Sequence, residues 1–471
     1  MLKRALFISF VALTACTPNR ATITAPEPQL TARQTAFVDT LEQRTFSWFW
    51  ERTNQQNGLV PDRWPSKSFS SVAAIGFALT AYGIGAERGY VTRLQAADRV
   101  LTTLRFMYRA PQGSAATNVM GYKGFFYHFL DMDTGYRFET VELSTIDTSL
   151  FLAGVLFCQS YFTQPNPTEE SIRAYADSLY TRVDWQWVKP RDPLISMGWK
   201  PESGYIDADW HGLNEAIILN ILALGSPTHP VDVSSWDAYT STYHWGDFYG
   251  YQQVGFPPLF GHQYSHIWID FRGIRDSYMR AKGIDYFENS RRATYSQRAY
   301  AIANPGDWKD YGPNIWGLTA VDGPLDTLLT LRGRPRRFWT YSARGAAEGE
   351  IRDDGTLGPT AAGGSVAFAP EIAVPALVTM REKYGDNVFS TYGFIDSFNP
   401  TFDTDIKPQH GKVVRGTGWF DTDYLGIDQG PIVAMLENYR TGLVWRVMRT
   451  NPHIIRGLKR AGFTGGWLDQ Q

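Results

Sequence analysis

One unit recurs along this chain and constrains its fold more than any other feature. A loop ending in acids and aromatics leads into a helix of small apolar residues, and an amphipathic helix follows. The clearest copy is Ser70-Ser71-Val-Ala-Ala-Ile-Gly-Phe-Ala-Leu-Thr-Ala-Tyr, which comes after the loop Gly58-Leu-Val-Pro-Asp-Arg and has Ser70 or Ser71 placed to cap it. The run Thr92–Tyr108 then carries Arg93, Asp98, Arg99 and Arg105 on one side and Leu94, Ala97, Leu101 and Leu104 on the other, the pattern of an outer helix. The unit returns at Gly124–Asp131 with Ser144–Leu156 and Glu169–Val183, at Gly204–Trp210 with Gly212–Leu222, and later at Gly364–Leu377 and Asp428–Asn438. Ser71, Glu142 and Leu213 stand at near-constant spacing. Helix pairs of this kind stack into a closed ring with their loops gathered at one end, so the pattern predicts an all-α chain, an (α/α)6 toroid. Two separate helical domains are the alternative. Gly and Pro around 225–260 and 300–325 mark insertions that could act as lids.

The N-terminus predicts an address. Lys3 and Arg4 precede an apolar stretch, Leu6–Leu13, too short for a permanent membrane span, and Leu13-Thr14-Ala15-Cys16 has the form of a lipobox. Residues 1–15 are therefore expected to be a cleaved signal, Cys16 to carry lipid, residues 16–31 to form a tether, and 32–471 to be a single catalytic domain. This places the protein in the cell envelope, at the outer membrane or in the periplasm. Thr17 lacks the Asp that retains lipoproteins at the inner membrane, which favours the outer one. The second cysteine, Cys158, lies in an apolar run and reads as a buried, inert thiol, leaving no intramolecular disulfide.

Net charge is −2 with both signs interspersed, so no electrostatic case exists for nucleic acid. Aromatic content is 15%, and Trp64, Tyr205, Trp210, Trp308, Trp316, Trp419 and Tyr424 sit beside Gly, Asp and Asn in loops. Aromatic faces stack on sugar rings while neighbouring polar groups meet hydroxyls, so the set points to carbohydrate, with aromatic core packing as the plain alternative. Nucleophile elbow, phosphate loop and dinucleotide fingerprint are all missing from the sequence. His262-Gln-Tyr-Ser-His266 has metal-ligand spacing, but no Glu follows the first His and no third ligand is evident, so hydrogen bonds to backbone or sugar hydroxyls are expected and neither metal nor cofactor is.

Three helix starts carry acids. In Glu142-Leu-Ser-Thr-Ile-Asp147, Ser144 and Asp147 match a capping box, so Asp147 either closes the helix end or serves the site. In Asp207-Ala-Asp-Trp-His-Gly-Leu-Asn-Glu215 an apolar run follows Glu215 at once. That should turn its carboxyl into the ring, where desolvation raises its pKa toward that of a general acid. Asp421, Asp423 and Asp428, around Trp419 and Tyr424, read as a sugar-binding rim with ordinary capping.

Taken with Thr45-Phe-Ser-Trp-Phe-Trp-Glu, Gly58–Arg63, Ala73–Arg88, Gly261–Gly273, Asn314–Asp322, Val366–Pro375 and Gly418–Pro431, these motifs resemble glycoside hydrolase family 144, the bacterial endo-β-1,2-glucanases. The latter part of the chain resembles the glycoamylase-like domain, and the likeness covers nearly all of the mature chain. The resemblance implies an (α/α)6 toroid that cleaves linear β-1,2-glucan with inversion and without metal. It also implies that Glu215 is the general acid and that Asp147 and Glu142 belong to the catalytic acids, one of them activating water directly or through an intervening hydroxyl. Trp210, His211, Asn214, Gln263, His266, Trp316, Trp419 and Asp428 are the expected substrate contacts. The expected product is a short glucan, sophorose or glucose, and the expected state a monomer. A surface glycan-binding lipoprotein without catalysis and a transglycosylase are the competing readings.

Overall fold

The computed structural model describes residues 30–471, so the Leu13–Cys16 lipobox and the signal before it lie outside the described residues. The described chain is mainly helical, with many strands of two to five residues in the loops between helices. These strands correct the all-α expectation. They are too short to show a period of two in the sequence, and they pair either as local hairpins or between two loops.

Most helices follow the pattern, but the expected run Gly364–Leu377 is split, one helix ending at Gly363 and the next starting at Pro370. Helix α1 covers Ala32–Arg52, α2 Val72–Glu87, α3 Arg93–Arg109, α4 Thr145–Tyr161, α5 Pro167–Thr181 and α6 Ile217–Gly225. Every residue of α2 from Val72 to Gly85 is buried, and so is all of α6. Small residues allow this. A Cβ on Gly76 would lie 2.2 Å from the Leu150 carbonyl oxygen, and one on Gly154 would lie 2.1 Å from that of Gly76, so α2 and α4 touch backbone to backbone. Ser71 caps α2 by accepting from Ala74 N at 3.3 Å. Helix α3 buries the stripe Ala96, Ala97, Val100, Thr103, Leu104 and Met107, while Arg93 reaches Glu169 on α5 at 2.8 Å. Leu94, expected on the apolar face, is 65% exposed because that stripe starts two residues later. The fourth helical run likewise starts earlier than expected, since Asn166 is the N-cap and Pro167 fills the first position.

The inner elements pack in sequence order. Helix α2 packs on α4, α4 on α6, and α6 on the short helix Tyr264–Trp268. Gln263 links that helix to Pro359–Gly363 by donating to the Ala361 carbonyl at 2.8 Å. Pro359–Gly363 then packs on the helix Gly426–Arg440, which returns to α2. Gly430 makes that last contact possible, since a Cβ there would sit 2.2 Å from the Phe77 ring. Strand pairing closes the loop layer at the same seam, with Arg63 opposite Leu425 and Trp64 opposite Tyr424.

Candidate functional site

The acid-bearing loops owe their positions to these pairings. A five-stranded patch aligns Phe126 with Ser144 and Ser144 with Gly198, which fixes the start of α4 beside the loop that holds His128. Ser144 Oγ accepts from Asp147 N at 3.2 Å, so it caps the helix as expected. The reciprocal half of a capping box is absent. The Asp147 carboxylate instead accepts from the Ser144 hydroxyl at 2.5 Å and turns its other oxygen to within 3.5 Å of His128 Nε2. His128 Nδ1 lies 2.8 Å from Glu142 Oε1.

An imidazole between two carboxylates has a predictable charge. Burial works against the cation, but Asp147 and Glu142 outweigh it and raise His128 to about 9. The hydrogen bond from His128, against the opposing effect of burial, lowers Glu142 to about 2. Burial raises Asp147 above the usual carboxylate range, and the His128 charge offsets part of that rise. His128 was not singled out in the sequence. Its signal was its place in Gly124–Asp131, the loop preceding an inner helix, the same register that carries the acids in other units.

Glu215 stands in the turn just before α6. Asn214 shapes that turn, its side chain accepting from Ala216 N at 3.0 Å and donating to the His211 carbonyl at 3.2 Å. Trp210 ties the same loop to the start of α4 by donating from Nε1 to Thr145 Oγ1 at 2.9 Å. The Glu215 carbonyl accepts from Ser265 Oγ at 2.7 Å. Its carboxyl is left without a side-chain partner, and burial first, then the Asp147 charge, raises it to about 7. The buried Tyr264 phenol feels the charges of Asp428, Glu215 and Asp147 together, so three acid-bearing helix starts converge on one space.

Several expected wall residues are fully buried. Gln263, His266, Trp316 and Trp419 are at most 2% exposed. Gln263 bridges to Ala361 and Ser365. His266 Nε2 pairs with Ser290 Oγ at 3.0 Å among Phe271, Phe287 and Phe368, and burial keeps the ring neutral. His262 turns to the Phe256 carbonyl at 3.2 Å, so the two histidines share nothing. Trp419 packs with Trp308, Phe338 and Phe402 in a small second core. These are packing and framework groups in this structure. Trp210 and Asn214 hold the Glu215 turn, and His211 is exposed, its Nδ1 3.4 Å from Thr242 Oγ1.

The last acid group is larger than the expected rim, and it is buried. Asp428 lies in the first turn of Gly426–Arg440 and is raised to about 7, chiefly by burial. Asp62, Asp322, Asp396, Asp421 and Asp423 are also buried. Arg63 pairs with Asp322 at 2.5 Å and with Asp62 at 3.2 Å. A cavity of about 360 Å³ opens beside them, lined by Arg63, Lys67, Asp322, Tyr341, His410 and Asp423 among others.

Residues 207–452 match the profile of the glycoamylase family, described as "Putative glucoamylase". An exo β-1,2-glucooligosaccharide sophorohydrolase of Parabacteroides distasonis is 28% identical over 93% of this chain, and the chain spans 59% of that relative's length. A crystal structure from Bacteroides uniformis with the family's own description matches at 31% identity and a TM-score of 0.78, over 94% of this chain and all of that one. The endo-β-1,2-glucanase of Chitinophaga pinensis, solved with sophorotriose and glucose, matches at 27% identity and a TM-score of 0.78, over 93% of this chain and all of that one.

Proposed function

The chain belongs to the glycoamylase family, and from that premise we propose that it hydrolyses β-1,2-glucan by a single displacement at the Glu215–Asp147 site. Water attacks the anomeric carbon as the glucosidic C–O bond breaks. The proton of Glu215 goes to the leaving oxygen, and a proton of the water goes to Asp147, so the anomeric configuration inverts. An inverting pair leaves room for that water, with about 6.5–9.5 Å between carboxyls. Glu142 stays ionised and keeps His128 charged, and His128 in turn favours the carboxylate form of Asp147. The cycle of six inner elements supports the finer reading of the fold as an (α/α)6 toroid forming one domain over 32–471.

The observation that carries this reading is the carboxyl of Glu215. It is raised to about 7, faces no side-chain partner, and lies close enough to Asp147 to feel its charge. A group that stays half protonated near neutrality is what protonation of a glucosidic oxygen requires. The loops of 225–260 and 300–325 would close one end of the cleft and favour release of sophorose, whereas an open cleft gives endo action. A lipid on Cys16 would hold the enzyme, as a monomer, at the envelope.

Purified Thr17–Gln471 incubated with linear β-1,2-glucan, followed by chromatography and by NMR of the new anomer, tests the proposal. Short β-1,2-glucooligosaccharides released as the α-anomer by the wild type, and not by Glu215→Gln, are the expected result. Bound glycan without products would make the chain a binding lipoprotein. Products longer than the substrate would make it a transglycosylase.

A further inference from the structure

We propose that the loop layer binds a divalent cation, calcium by its donor chemistry, between the carboxylates of Asp322, Asp396 and Asp421. One oxygen from each lies within 4.8 Å of the other two. That is the span of a shell of oxygens about 2.4 Å from a calcium ion. All three residues are about 1% exposed.

Each carboxylate is anchored through one oxygen. Asp396 Oδ2 accepts from Asp322 N at 2.8 Å, Asp421 Oδ1 accepts from Thr422 N at 2.7 Å, and Asp322 Oδ2 takes the Arg63 guanidinium at 2.5 Å. The second oxygens of Asp396 and Asp421 are buried and receive no N–H donor; the Asp396 carboxyl lies against that of Asp428, whose second oxygen is equally bare, and the second oxygen of Asp421 has no partner. Buried carboxylate oxygens are almost always satisfied, and an oxygen held in place by its twin and left bare is the arrangement of a metal ligand. Local charge points the same way. Asp62, Asp423 and Asp428 add to the acids, Arg63 is shared between Asp62 and Asp322, and nearby Arg344 is taken by Asp354 at 2.6 and 2.8 Å.

The donors are all hard oxygens, which suit calcium or magnesium and not zinc. Calcium tolerates an irregular shell completed by carbonyls and water, and the adjoining 360 Å³ cavity lined by Asp322 and Asp423 gives an ion a way in. The three ligands each follow a short strand, Ala320–Val321, Gly393–Phe394 and Gly418–Phe420, so the ion would clip together three distant stretches of chain. Its role is to hold these loops together.

The full chain, stripped with EDTA and dialysed against calcium chloride with excess magnesium chloride, is assayed for bound metal by mass spectrometry and for thermal unfolding at pH 7.5. The expected result is close to one retained calcium per chain and a Tm rise of about 3 °C or more in millimolar calcium. Asp396→Asn with Asp421→Asn should abolish both. If that pair does not fold, each substitution alone should weaken calcium retention at least tenfold. Absence of retained metal in the wild type with a calcium-independent Tm would overturn the proposal and leave a proton shared among the aspartates. Retention unchanged in the variants would place the ion elsewhere and overturn it equally.

Discussion

Two groups of buried acids lie in one loop layer and solve the same problem differently. Glu142 and Asp147 flank a charged imidazole at 2.8 and 3.5 Å, which leaves Glu215 as the carboxyl without an ionic partner. Around Asp322, Asp396 and Asp421 the acids outnumber the arginine that reaches them, and two oxygens have no partner. The first group separates its members by pKa, from about 2 for Glu142 to about 7 for Glu215, and so can assign different proton roles. The second gathers buried oxygens from three stretches of chain around one point, which suits holding an ion better than moving a proton.

Breaking the first group at Glu215 should have the largest effect. Glu215→Gln is expected to lower kcat on β-1,2-glucan by roughly 10³-fold or more while glycan binding measured by calorimetry persists. A smaller loss, about 10–100-fold, is expected for His128→Ala, because Glu142 and Asp147 would then face each other without a cation. The same variant should lose stability in a defined window. Glu142, lowered from 4.5 to about 2, contributes stability above about 4.5 that disappears toward pH 2. His128, raised from 6.5 to about 9, contributes stability below about 6.5 that disappears as pH rises through 9. The deficit of His128→Ala, measured by denaturant unfolding, should therefore be greatest between those limits and shrink on both sides.

Glu215 gives the opposite sign. Its carboxyl is raised from 4.5 to about 7, so the folded state loses stability as pH rises across that range. Glu215→Gln should be inactive yet more stable than wild type at pH 8, by up to about 3 kcal/mol. On the kinetic side, wild-type kcat/KM should fall on an alkaline limb near pH 7. The smallest effect is expected for Trp210→Phe, which removes the donor to Thr145 Oγ1 and should cost about 1 kcal/mol of stability. Its kcat should move more than its KM if that loop only positions the Glu215 turn.

Much of this was legible in the chain because it follows from local rules. Ser71 and Ser144 cap their helices as their sequence context demands, and the glycines and alanines of α2 make the backbone contact that Gly76 and Gly154 require. An acid placed directly before a wholly buried helix had to be desolvated, and Glu215 is. The aromatic wall was not legible. Trp316 and Trp419 stand among Gly and Asp as exposed residues do, but the loop layer is thick enough to own a core, and Trp419 with Trp308, Phe338 and Phe402 fills it. Loops have no period, so nothing in their sequence says which aromatic faces inward. His128 escaped notice for a related reason. Its meaning depends on Glu142 and Asp147, which only strand pairing brings to it.

The pairing of Arg63–Trp64 with Tyr424–Leu425 has a further consequence for synthesis. A ribosome making this chain must finish some 360 residues between those partners. Until then Asp62 and Arg63 lack Asp322, Asp396 and Asp428, and α2 lacks the helix Gly426–Arg440 against its apolar surface. The nascent chain therefore carries one apolar face of α2 uncovered for most of its translation, a state that invites capture by holding factors. A stop codon some forty residues early would remove most of the helix Gly426–Arg440 and leave α2 without that neighbour instead of giving a merely weaker enzyme.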